Sequence, residues 1–286
     1  MAVAHFYMNN EQSDLLNRRK NRKFIMRCLK EYAYEQLESI YSVDQLSSFV
    51  LKYGFCDICD FSGLNISAAR TIVNCLIAVI YKYPYLRGTM CYVGSKNGYV
   101  AMLKKFTRYD PHTLKLLGVQ HICDNAMAQS IGQALLELIS EQTESATNNV
   151  LAQAISGMGL VDGIFLDEND FSTTRFLQIK RNLLECEKSG FYPRGCNSVS
   201  SVIYHELGHM VDFLCRASED DELVMQYKNS TKHEIGNKLS EYAATSLREY
   251  VAEGFSEYMS SSAPRTTAKF VVGVMDKCYQ SLTARK

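Results

Sequence analysis

Two histidines four residues apart with a glutamate between them, His205-Glu206-Leu207-Gly208-His209, are the residues of this chain best suited to do chemistry. On an α-helix, positions i and i+4 share a face, so both imidazoles can reach one ion. The intervening glutamate is the residue type that zinc peptidases use as a general base. The pattern points to one zinc per chain held by His205 and His209, with Glu206 activating the water that attacks a peptide bond.

The flanking residues suit that chemistry. Val199, Val202, Ile203, Leu207, Met210, Val211 and Leu214 form one apolar stripe at helical spacing. His205 and His209 lie beside the stripe, and Glu206 falls at its edge. A carboxylate there is partly desolvated, which raises its pKa toward the range useful for a base near neutral pH. A surface helix with incidental histidines is the competing reading.

A catalytic zinc needs three protein ligands and one open position. A metzincin continuation would need Gly at 212 and His at 215, where the chain has Asp212 and Cys215. The stretch where a closely spaced Glu ligand would fall, VMQYKNSTKH, contains no Glu. Farther on, Glu249, Glu253 and Glu257 recur every four residues on one helix face, with Val251, Phe255 and Tyr258 opposite. Like charges at that spacing repel by a few tenths of a kcal/mol per pair, roughly, unless a cation intervenes. The third ligand is therefore expected in this stripe, although solvated acidic stripes are also common.

These residues resemble a known family, the zincins typified by the catalytic domain of anthrax lethal factor, which also occur in phage and prophage head-associated proteins. The resemblance rests on His205-Glu-Leu-Gly-His209 with Val211-Asp212, on Tyr242 seven residues before Glu249, and on Glu249-Tyr-Val-Ala-Glu253-Gly-Phe255. Weaker matches are Asp60-Phe-Ser-Gly-Leu64, Tyr83-Pro84, Gly163-Ile-Phe-Leu-Asp167 and Tyr192-Pro193-Arg194-Gly195. The resemblance spans about residues 45–260. It implies that His205, His209 and Glu249 bind zinc, that Tyr242 supports the oxyanion, and that Glu253 stands behind the ligands. It also implies a peptide or protein substrate, with phage structural proteins as possible partners. The alternative from another class is a phage- or prophage-derived structural protein whose zinc site has little turnover.

The elements that must position these residues read as follows. A helix is expected over 12–41, basic in its first half from Arg18 to Lys30 and acidic at Glu31, Glu35 and Glu38. Such a pattern suits a solvated face with intrahelical ion pairs better than a nucleic-acid patch. Strands are expected at 55–60, 91–94 and 163–167, and helices at 67–83, 98–108, 120–141 and 172–187. Pro84 ends the second helix, and residues 141–149 form a polar break. The strand at 163–167 precedes the active helix and is a candidate for pairing its edge with an extended peptide.

The fold class is α+β: a helix-rich, zincin-like domain with a small mixed sheet. An N-terminal helical extension covers 1–44, the catalytic domain 45–262 and a C-terminal helix 263–286.

Composition fits this reading. Apolar residues make up 47% of 286, enough for a substantial core. Lys plus Arg and Asp plus Glu number 31 each, so net charge argues for neither nucleic acid nor an acidic partner. The N-terminal residues contain no apolar signal segment, and no stretch reaches transmembrane length. Ten cysteines spread through apolar runs argue for free thiols in a reducing compartment, cytoplasmic or virion-associated. Cys56-Asp-Ile-Cys59 has no second CxxC, which favours two small core residues over a zinc knuckle or redox pair.

Overall fold

A computed structural model describes residues 37, 39–107, 137, 151–156 and 162–284. The described elements run α1 (Val43–Lys52), β1 (Ile58–Asp60), α2 (Ile66–Lys82), β2 (Tyr92–Ser95), α3 (Lys96–Thr107), β3 (Ala152–Ile155), β4 (Gly163–Leu166) and α4 (Phe176–Lys188). They continue with α5 (Val199–Cys215), α6 (Asp221–Lys228), α7 (Lys232–Lys238), α8 (Leu247–Ser260) and α9 (Thr266–Ala284). Short 3-10 turns include Pro84–Gly88 and Tyr242–Ala244. The fold is helix-rich α+β with a four-stranded mixed sheet, the class expected from the sequence.

The sheet order is β1-β2-β4-β3. β1 pairs with β2 and β2 with β4 in parallel, with Ile58 opposite Tyr92 and Tyr92 opposite Gly163. β2 and β4 are buried at every position, as interior strands of a covered sheet are. β3 pairs antiparallel with β4, Ala152 opposite Leu166, and closes that side of the sheet. Here the structure corrects the sequence reading. β4 has a strand on each side, so it offers no edge to a peptide; among the described strands the edge beside the helix of the histidine pair is β3, which was not expected as a strand.

The metal-motif helix α5 begins at a capping box between Ser198 and Ser201 and ends at Arg216, whose φ is 60°. A left-handed residue there stops the helix. Its stripe of Val199, Ile203, Leu207, Met210 and Val211 enters the main core. α5 packs against β3, α2 and α8. Contact with α8 is close at Gly208, where a Cβ would lie 3.1 Å from the Ala252 Cα and 3.2 Å from the Phe255 Cβ. α9 adds Val271, Val272 and Met275 to the same core. It is tied to the end of α2 through Asp276, which accepts from Lys82 Nζ and Tyr83 OH at 2.6 Å each.

At the N-terminal side, residues 39–41 are not helical and Ser42 caps α1, a helix the sequence reading passed over. The remainder of the helix expected at 12–41 lies outside the described residues, apart from residue 37. So does the helix expected at 120–141, apart from residue 137. No helix among the described residues is long and apolar enough to cross a membrane. The eight described cysteines are free. Cys56 donates to the Ile58 carbonyl at 3.1 Å and Cys59 lies within β1, so the CxxC pair belongs to the start of the sheet and forms no disulfide.

Candidate metal centre

α5 and α8 bring three donors together. His205 Nε2 lies 3.1 Å from His209 Nε2 and 3.0 Å from Glu249 Oε2, and His209 Nε2 lies 3.4 Å from the same oxygen. Among the described residues, His205, His209 and Glu249 are the group able to hold a metal ion. Glu249 Oε2 is buried yet has no hydrogen-bond partner, an unusual position for a carboxylate oxygen. Its location is set by the start of α8: Ser246 caps the helix by accepting from the Glu249 N–H at 3.2 Å.

Glu253, one turn later, faces the far side of His205. Its Oε1 lies 2.6 Å from His205 Nδ1, and its Oε2 accepts from Ser240 Oγ at 2.8 Å. Ser240 in turn accepts from the Ala243 N–H. A carboxylate can only accept here, so Nδ1 carries a proton, and whenever the ring is neutral its Nε2 lone pair faces His209 and Glu249. Burial opposes charge on His205, but Glu249 and Glu253 outweigh it and raise its pKa well above the ordinary histidine range. Burial also works against the charged form of Glu249, and the two histidines overcome it to hold its pKa far below the ordinary value.

Glu206 is only 8% exposed. Burial pushes its carboxyl up; His205 and His209 pull it back, as does the hydrogen bond it accepts from the Ala154 backbone. The edge strand β3 therefore supports the glutamate directly. Asp212, also buried, accepts from the Ser218 N–H at 2.7 Å, which fastens the chain just after α5.

Tyr242 opens the 3-10 turn before α8, and its ring centroid lies 5.7 Å from that of His205. Its N–H donates to the Phe191 carbonyl, and its ring packs on Phe191 and Tyr192. Among the described residues its hydroxyl has no hydrogen-bond partner. The loop carrying Phe191 and Tyr192 is held by Glu187 at the end of α4, which accepts from Gly195 N–H and Asn197 Nδ2 at 2.8 Å each. A cleft of about 480 Å³ runs along α5 between β3 and the start of α8, lined by His205, Glu206, His209, Tyr242 and Glu249.

All six residues singled out in the sequence thus meet at one place. The acidic stripe of α8 divides three ways. Glu249 faces the histidine pair, Glu253 backs His205, and Glu257 is fully buried against Arg265. Ala154, Ser240, Glu187 and Arg265 were missed. Their contributions come from a backbone N–H or from contacts between elements, and neither leaves a spacing signal. Compared with known proteins, the chain matches no protein-family model, no curated protein and no solved structure.

Proposed function

We propose that the chain is a zinc-dependent metallopeptidase, with His205, His209 and Glu249 as ligands and Glu206 as general base. The observation that carries this reading is the convergence of three donor atoms with edges of 3.0, 3.1 and 3.4 Å. Tetrahedral zinc with ligands at roughly 2.0–2.1 Å separates them by about 3.3 Å. The orphaned Glu249 oxygen and the lone pair of His205 both suit a cation at that point.

Held by His205, His209 and Glu249, a zinc ion would lower the pKa of water and polarise a substrate carbonyl. Glu206, raised by burial, takes the proton of the attacking water and passes it to the leaving amine. Tyr242 donates its free hydroxyl to the oxyanion that develops on the carbonyl oxygen. Glu253 and Ser240 fix the tautomer and orientation of His205. Among the described residues β3 is an edge strand, and its residues Ala152, Gln153 and Ala154 line the same cleft, where an extended peptide can add to the sheet.

The test is elemental analysis of the purified protein, followed by incubation of the zinc-loaded protein with a peptide library. About one zinc per chain and discrete cleavage products are expected. Absence of zinc uptake removes the reading. Bound zinc without any cleavage leaves a structural metal site, the role expected of a scaffold protein.

A further inference from the structure

We infer that Arg248 is a specificity-determining residue that receives a carboxylate of the substrate within one or two residues of the cleaved bond. The inference rests on the peptidase reading and deepens it.

Arg248 is exposed and lines the cleft, as does Phe213, an aromatic that is 43% exposed. The other cleft arginine, Arg216, is already engaged with Glu219 at 3.2 Å. Arg248 makes no ion pair and no hydrogen bond through its guanidinium among the described residues. Buried Asp212 interacts with it electrostatically, but that carboxylate already accepts from Ser218.

Helix stability does not explain an arginine here. Arg248 sits in the first turn of α8, the positive end of the helix dipole, where a cation is unfavourable. Its i+3 and i+4 neighbours are Val251 and Ala252, so no intrahelical acid answers it. An exposed, unanswered guanidinium in a cleft is suited to a planar, bidentate acceptor from outside, which is a carboxylate.

Position sets the register. Arg248 adjoins Glu249, so their Cα atoms are about 3.8 Å apart, and an extended peptide advances about 3.3–3.6 Å per residue. A carboxylate that reaches Arg248 therefore belongs to a residue close to the bond at the metal. That carboxylate is either an Asp or Glu side chain or the C-terminus of the substrate.

The experiment uses zinc-loaded protein and hydroxamate-capped tripeptides, which bind a catalytic zinc without being cleaved. Glu, Gln and Lys are compared at each position, each with a free or an amidated C-terminus, and Kd is measured by calorimetry. Wild type should favour the carboxylate about ten- to a hundredfold at one position or at the free C-terminus. In R248Q that ratio should collapse toward one, and R248E should invert it in favour of a Lys-bearing ligand. Ratios within twofold at all positions in wild type overturn the inference, as does a preference that survives in R248Q. Cleavage in the library without a carboxylate preference leaves the peptidase reading intact and removes this one. A preference without any cleavage removes both, because no cleaved bond then sets the position of the carboxylate. Failure of every hydroxamate to bind removes both.

Discussion

Glu253 Oε1 stands 2.6 Å from His205 Nδ1, on the side of the imidazole away from His209 and Glu249. The glutamate is 2% exposed and is itself held by Ser240. A carboxylate so placed orients the ring and makes its other nitrogen more basic. Glu253→Ala should weaken zinc affinity about ten- to a hundredfold while leaving the three donors in place. Competition with a chelator of known affinity measures this. Unchanged affinity would show that packing alone holds His205.

Glu206→Gln separates metal binding from chemistry. The amide keeps the shape of the buried carboxyl and can still accept from the Ala154 N–H, but it takes no proton from water. Zinc content should stay near one per chain while cleavage of any library substrate falls below detection. A Glu206→Gln protein as active as wild type would move the base elsewhere.

How much of this site the sequence disclosed follows from where each constraint resides. His205, Glu206 and His209 are legible because a helix turns a spacing of four into a shared face. Glu249 and Glu253 are legible for the same reason, once the stripe is placed on one helix. β3 was not legible. Ala-Gln-Ala-Ile has little β-branched or aromatic character, and its strand state comes from pairing with β4 rather than from local preference. Nor can a single strand reveal its neighbours, which is why β4 read as an edge. Glu257 looked like one more unpaired acid because Arg265 lies beyond the end of its helix.

Glu257 and Arg265 give a stability prediction. The carboxylate is fully buried and accepts from the Arg265 backbone N–H and guanidinium, and the guanidinium also reaches the Leu239 carbonyl. Removing one partner of a buried pair leaves a charge without compensation, at a cost of roughly 3–5 kcal/mol. Arg265→Ala should therefore lower the thermal midpoint by many degrees. The double variant Arg265→Ala with Glu257→Gln should recover part of the loss. A shift within a degree in the single variant would show that water reaches Glu257.

Glu187 carries a pH dependence. The Gly195 backbone N–H and the Asn197 amide hold its carboxyl below the ordinary value. A depressed carboxyl stabilises the fold above its unfolded pKa, about 4.3, and that contribution is lost as pH falls through the folded pKa. Glu187→Gln should melt below wild type at pH 7, and the gap between the two melting temperatures should close as pH falls through the folded pKa of Glu187. A gap that persists undiminished in acid would assign the difference to packing of the loop instead.

Tyr242 tests the mechanism most directly. Its ring is held from three sides, by Phe191, Tyr192 and His205, so Tyr242→Phe should keep the packing. The hydroxyl has no partner among the described residues, which leaves it free to meet charge as it develops. Burial and the nearby carboxylates of Glu249 and Glu206 raise its pKa, so it remains a proton-bearing donor at neutral pH. Loss of one oxyanion donor costs about 2.7–4 kcal/mol, roughly a hundred- to a thousandfold in rate. The loss should fall on kcat, because the hydroxyl acts mainly in the transition state, while zinc content and KM change little. An active wild type whose Tyr242→Phe variant cleaves at full rate would remove Tyr242 from the mechanism. Zinc ligation by His205, His209 and Glu249 would stand in that case, because none of those three donors touches the hydroxyl.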